Sequence, residues 1–294
     1  MKFKHILVPV DFSEFSDKAT EYALFLAEKF CARVTLLHVM VIFKTDIEEK
    51  EHLDSYKDLV QGIEQKHAEQ LEYHCKNGKK REIQVDSILE RGISEADTIL
   101  DHIMDKEYDL IVMGTHGRTG IKRWMAGSVT EKVVHHSPIP VITVHKDIQD
   151  FSIKKILIPD DFSGFSKQAM ERGKNLAAVF KAQCIFLHSV LQQEHELYYN
   201  ISSDPLLEAN PQLEETIKEN LVQRSGIPKD KAEYVVMEGT PYKTIVHYAA
   251  ENEVDLIVMS TRGLGALAHL LMGSNAERVV RIASCPVLTV RKSE

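Results

Sequence analysis

Short apolar runs alternate along the chain with longer stretches in which apolar positions recur every three or four residues. "HILVPV" (5–10), "RVTLLHVM" (33–40), "IQVDSILE" (83–90), "DLIVM" (109–113) and "PVITV" (140–144) read as strands. Helices are predicted between them. "KATEYALFLAEKF" (18–30) has Ser13 or Ser16 as its N-cap, and the charged stretch 48–77 has "NGKK" (77–80) as its stop. "SEADTILDHIMDK" (94–106) opens on Ser-x-x-Asp, and "SVTEKVVHH" (128–136) follows a glycine-rich loop. Nearly continuous apolar strands separated by helices predict a parallel sheet covered on both faces. Right-handed crossovers then favour a doubly wound, Rossmann-like α/β domain with strand order 3-2-1-4-5. In that order the ligand crevice lies beyond the carboxyl ends of strands one and four, so Asp11 and Gly114 face one another across it.

The pattern is written twice. "KHILVPVDFSEFSDKAT" (4–20) and "KKILIPDDFSGFSKQAM" (154–170) share ten of seventeen residues. "LLHVM" (36–40) lies over "FLHSV" (186–190), and "DLIVMGTHG" (109–117) over "DLIVMSTRG" (255–263). A period near 150 residues is too long for a solenoid unit and reads as a duplicated domain. Domain one is expected over 1–147 and domain two over 152–294, joined by the polar stretch "HKDIQDFS" (145–152).

The loop after strand four, "GTHGRTGIKRWMAGS" (114–128), carries three basic residues, Arg118, Lys122 and Arg123, inside a half of net charge −5. Glycines let backbone amides approach a phosphate, and Gly127-Ser128 opens a helix whose first amides are unpaired and whose dipole end is positive. Those parts suit a polyphosphate. The chain has no Gly-Lys-Ser/Thr, which excludes a P-loop. Gly263-x-Gly265-x-x-Ala268 fits a dinucleotide fingerprint but follows the wrong strand and is missing from the first copy. Both halves keep Gly-x9-Gly-Ser: Gly117 to Gly127-Ser128, and Gly263 to Gly273-Ser274.

With Gly114, Gly117, Gly127 and Ser128 the first copy completes Gly-x2-Gly-x9-Gly-Ser, and the chain resembles the universal stress protein family in its tandem form. The "VPVDFS" opening, "LHVM" and "SPIPVITV" (137–144) carry the resemblance further. It implies five-stranded parallel domains, dimer-like pairing of the two halves, and ATP as the ligand of many members. Carried over, Val10 and Asp11 hold the adenosine end, and Val39 and Met40 lie along the adenine. Gly114, His116, Gly117, Gly127, Ser128, Val129 and Thr130 wrap the ribose and phosphates, and Arg118 of the basic loop is a further candidate contact. Asp11 can accept from a ribose hydroxyl or adenine amine, hold Mg2+ through water, or simply cap the following helix.

The second copy departs from the motif. Ser260 replaces the first glycine, Arg262 stands where His116 stood, and Asn275-Ala276 replaces Val129-Thr130. Asp161, Gly263, Gly273 and Ser274 remain. A positive φ at Ser260 would cost on the order of 1 kcal/mol, with Arg262 compensating as a phosphate ligand. A weaker or altered second site follows.

The remaining features narrow the function. A net charge of −8 argues against nonspecific nucleic-acid binding. No apolar run nears the ~18 residues of a membrane span, and "MKFKHILVPVD" reaches a proline too soon for a signal peptide. The scattered cysteines, Cys31, Cys75, Cys184 and Cys285, read as reduced thiols of a cytoplasmic protein. His135-His136 lacks a further ligand at helical spacing, and His38 and His188 read as packed and bonded to backbone. Asp160-Asp161 points its two carboxylates to opposite faces. "YYNISSDPLLEANP" (198–211) reads as a mobile segment before a helix. The expected function is an ATP-binding switch, with AMP or ADP as other candidate ligands and an unidentified protein partner. Strand five, a sheet edge, is the expected seam of an intramolecular pseudo-dimer, and a homodimer is also compatible. A slow ATP hydrolase and a ligand-free scaffold are the alternatives.

Overall fold

The computed structural model describes residues 3–41, 53–104, 106–115, 127–145, 148, 151–191, 206–263 and 272–291. The chain divides into two compact units, Lys2–Phe151 and Ser152–Glu294.

In the first unit the described elements are β1 (His5–Pro9), α1 (Glu14–Phe30), β2 (Arg33–Val41), α2 (Leu53–Lys79), β3 (Val85–Gly92), α3 (Glu95–Met104), β4 (Leu110–Gly114), α4 (Ser128–His136) and β5 (Val141–Val144). All pairings within the unit are parallel, in the order β3-β2-β1-β4-β5 that the sequence predicts. α2 and α3 both pack on β2 and β3, while α1 packs on β1, β4 and β5. Hence β2 is buried from Val34 to Met40, and Ile6, Leu7, Val8 and Leu110–Val112 are fully enclosed. Asp109 ties the bottom of the sheet together: its Oδ2 accepts from the amides of Lys4 at 2.7 Å and His5 at 2.9 Å. Asp255 does the same for Lys154 and Lys155, both at 2.8 Å.

Local chemistry sets the helix ends. Ser13 is the N-cap of α1, accepting from the Ser16 amide, while the Ser16 hydroxyl receives the Ser13 amide. This reciprocal cap satisfies two of the helix's orphan donors. α2 ends at Lys79, inside the predicted "NGKK" stop, but Gly78 is not the left-handed residue; Glu82 is, at φ 58°. Gly78 is small because a Cβ there would overlap the Val85 side chain.

The second unit repeats the plan with β6 (Lys155–Pro159), α5 (Gly164–Phe180), β7 (Gln183–Val190), α6 (Leu206–Ala209), α7 (Pro211–Ser225), β8 (Glu233–Glu238), α8 (Pro241–Glu251), β9 (Leu256–Ser260), α9 (Ser274–Ile282) and β10 (Val287–Val290). Its parallel order is β8-β7-β6-β9-β10. Most of the segment expected to be mobile, including Asn200, lies outside the described residues. Cys75, Cys184 and Cys285 are buried and unbridged. Burial pushes each thiol upward, Cys285 to about 12, so they are held as inert thiols.

Candidate functional site

A cavity of about 320 Å³ opens beyond the carboxyl ends of β1, β2 and β4 in the first unit. Its size falls at the lower end of the roughly 300–1,000 Å³ range of small-molecule sites. Three chain segments build it.

The first follows β1. Val10 is nearly fully buried, and Phe12 takes a left-handed turn at φ 62° before α1 begins. Asp11 Oδ1 accepts from the Ser13 amide at 3.1 Å and the Ser13 hydroxyl at 2.6 Å. Asp11 therefore braces the residue that caps α1, and its carboxylate is fixed at the cavity wall.

The second segment is the end of β2. Val39 lines the cavity, whereas Met40 is buried and is not among the lining residues. His38 also lines it and is anchored by Nδ1, which donates to the Val10 carbonyl at 2.6 Å. Nε2 of His38 is 3.0 Å from Nδ1 of His67 on α2. His188 repeats the backbone bond to Asp160 O at 2.7 Å.

The third segment joins β4 to α4. Gly114 ends β4 and does not have a positive φ. Its constraint is steric: a Cβ would lie 2.8 Å from Phe15 Cβ and 2.9 Å from the Phe15 carbonyl carbon and oxygen. The expected left-handed strain at Ser260 is thus corrected, because the position it copies is extended. Gly127, rather than Ser128, is the N-cap of α4, and its amide donates to Thr115 O at 2.8 Å. Glu131 N is the first amide to bond back to the cap, at 3.0 Å, so the amides of Ser128, Val129 and Thr130 precede the helical ladder. All three residues line the cavity. The Thr130 hydroxyl donates to Gly114 O at 2.7 Å, stapling the first turn of α4 to the strand end. His116, Gly117 and Arg118 lie outside the described residues.

The structure therefore brings Val10, Asp11, Val39, Gly114, Gly127, Ser128, Val129 and Thr130 to one cavity. Ser16, Glu95, Ile99 and Met113 also line it and were not named as ligand contacts from the sequence. Glu95 and Ile99 are one helical turn apart at the start of α3, a spacing that marks a shared face. Nothing in sequence, however, told which face looked at the crevice.

The second unit keeps part of this arrangement. Asp161 Oδ1 accepts from Ser163 N at 3.0 Å, and a Cβ on Gly263 would overlap the Asp161 carboxylate. Gly273 is the N-cap of α9, with its amide on Thr261 O at 2.7 Å, and Ser274 is the first helical residue. Arg262 lies with its guanidinium carbon 6.0 Å from the Phe165 ring centre. Ala276 has no hydroxyl to staple β9, and the Ser260 hydroxyl donates instead to Arg262 O. The largest change is at Asp160, which occupies the position of Val10. Its side chain is 0% exposed, pairs with Arg224 Nε at 2.7 Å and accepts from Phe162 N at 3.0 Å and from the Ser166 hydroxyl. Asp160 and Asp161 follow β6, which ends at Pro159, so strand alternation does not govern them, and their carboxylates take separate partners.

Among the described residues no group of three metal-ligating side chains assembles, and His135 and His136 have ring centres 6.2 Å apart. No helix among the described residues is long and apolar enough to cross a membrane.

Comparison with known proteins agrees with this duplicated architecture. The family model described as the universal stress protein family matches residues 2–145 and again 152–291. Similar proteins include a universal stress protein E homolog of Haemophilus influenzae, 26% identical over 313 residues and covering 100% of this chain and 99% of its own. A Synechocystis universal stress protein is 25% identical over 306 residues, covering 98% and 100%. The crystal structure of a universal stress protein from Archaeoglobus fulgidus superposes with a TM-score of 0.67 at 22% identity, covering 100% of this chain and 98% of its own, which shows a shared fold. With both halves matched and the strand order in place, the chain belongs to the universal stress protein family.

Proposed function

We propose that the first unit binds an adenine nucleotide, ATP, and that the chain works in the cytoplasm as a nucleotide-dependent switch in the stress response. The observation that carries this reading is the cavity itself. Its β4 side is the start of α4, with the amides of Ser128, Val129 and Thr130 ahead of the ladder. A helix start favours phosphate through unpaired amides and its positive dipole end. Its β2 side is apolar at Val39 and Ile99, which suits a base. Asp11 stands between them as an acceptor for a ribose hydroxyl or as a water-mediated Mg2+ ligand.

Binding is favoured over hydrolysis by the state of Asp11. Its Oδ1 is committed to Ser13, an engagement that suits a positioning group better than a general base. In this reading occupancy alters the surface offered to a protein partner or a second copy. In the second unit the buried Asp160–Arg224 pair replaces the apolar wall residue, so the proposal assigns nucleotide to the first unit only.

Calorimetric titration of the full chain with ATP tests the reading. Wild type is expected to bind about one equivalent, and Asp11→Ala to bind at least tenfold more weakly with its fold intact by circular dichroism. No heat of binding for wild type with ATP, ADP or AMP would sink it.

A further inference from the structure

The cavity has a chemical feature at its far end that the phosphate argument leaves unused. β3 lies beside β2 with Glu90 opposite Val39 and Gly92 opposite Val41, so the chain leaves β3 level with the cavity floor. Gly92 then lets the first turn of α3 close down on the strand end, because a Cβ there would overlap the Thr98 hydroxyl. Thr98 donates to Ser94 O at 2.9 Å, which fixes that turn. The result delivers Glu95, with Ile99 one turn later, to the cavity wall.

Along the sheet the two helix starts follow strands on opposite sides of β1, although α3 and α4 pack on one another, with Lys132 Nζ 2.8 Å from Asp97 Oδ2. α3 starts beyond β3, next to β2, while α4 starts beyond β4, on the other side of β1. A ligand whose phosphates rest on the α4 amides extends its nucleoside past Asp11 toward Val39 and Glu95. An ionised carboxylate accepts hydrogen bonds and donates none. It therefore favours a nucleoside edge that presents N–H or O–H groups and disfavours one that presents a carbonyl oxygen, the asymmetry by which buried polar groups discriminate among ligands.

We infer that Glu95 is a specificity-determining residue, which accepts a hydrogen bond from the nucleoside end of the bound nucleotide and selects for a donor there. The inference rests on the proposed nucleotide reading and adds a residue to it. The donor is either the 6-amino group of the base or a ribose hydroxyl, and analogues separate the two. Inosine triphosphate replaces the amine with an oxygen, and 2′-deoxy-ATP removes one hydroxyl.

The test is to titrate the full-length wild type, Glu95→Gln and Glu95→Ala with ATP, inosine triphosphate and 2′-deoxy-ATP. Wild type is expected to prefer ATP over one of the two analogues by at least tenfold. Both variants should reduce that preference to within about threefold, and the analogue that gains names the group. The ratio of affinities cancels any general effect of the substitution on the start of α3, and circular dichroism melts check folding. If wild type binds ATP but all three proteins show the same preferences, Glu95 has no such role while the nucleotide reading stands. If wild type binds none of the nucleotides, both fall.

Discussion

Replacing Arg224 with methionine removes the cation that faces a completely buried carboxylate. The Asp160 side chain is 0% exposed, and Arg224 Nε stands 2.7 Å from Oδ2. Arg224 also donates to Ser166 Oγ at 3.1 Å and to the Ser163 carbonyl, binding α7 to the cap of α5. Removing one member of a buried pair typically costs about 3–5 kcal/mol, because the other charge is left uncompensated at low dielectric. Two donors, the Phe162 amide and the Ser166 hydroxyl, remain on Asp160 after the change. That places the expected loss near the lower end, about 3 kcal/mol, or roughly two powers of ten in the folding equilibrium. The first unit supplies the control. Val10 stands at the position of Asp160 and His74 at that of Arg224, and His74 lies 3.6 Å from Asp17 instead. Combining Asp160→Val with Arg224→Met restores an apolar wall and should recover stability to within about 1 kcal/mol of wild type. The coupling between the two sites is then about 2 kcal/mol or more. Urea unfolding of the full chain by circular dichroism measures the loss, and hydrogen exchange at β6 and the start of α5 locates it. A cost below about 1 kcal/mol for Arg224→Met, the behaviour of an exposed pair, would refute the reasoning. So would a double variant no more stable than the single one.

Other outcomes follow from the same geometry. Gly114→Ala forces a Cβ to within 2.9 Å of the Phe15 backbone and should destabilise the first unit by about 1–3 kcal/mol, read as a lower urea midpoint; an unchanged midpoint contradicts the steric explanation. Burial holds His5 below the ordinary imidazole value, with Nδ1 donating to Glu107 O at 2.9 Å and Nε2 accepting from Thr35 Oγ1 at 2.8 Å. The unfolded chain therefore takes up the proton first, so its contribution to stability is intact above pH 6.5 and is lost as pH falls below it. His5→Gln should flatten the slope of stability against pH below that value, and an unchanged slope assigns the acid sensitivity elsewhere.

The strands and their order were legible because a buried parallel sheet demands continuous apolar runs, and "HILVPV" and "DLIVM" leave little choice of structure. Duplication made the reading firmer, since each half tests the other. Asp11 and the α4 start were placed together by topology alone, across about 100 residues of sequence. What failed was the left-handed backbone expected at Gly78 and at the position shared by Gly114 and Ser260. Gly114 and Gly78 mark close approaches of Phe15 and Val85, and sequence does not show which chain will pass nearby. The expectation of a backbone penalty at Ser260 came from the same gap. Arg224 was invisible for a related reason: it sits on a polar helix 64 positions after its partner, and a pair formed through tertiary packing leaves no periodic trace. Glu95 looked like an ordinary acidic residue at a helix start until the cavity wall was traced.

The most direct measurement is the nucleotide content of the purified full-length chain, denatured without added ligand and run by anion-exchange chromatography against ATP, ADP and AMP. Preparations that emerge empty are saturated with ATP and desalted before the same analysis. The account predicts about one equivalent of ATP per chain, held by the first unit. No retained nucleotide after saturation would contradict the proposed function, and two equivalents would contradict the assignment of nucleotide to the first unit alone.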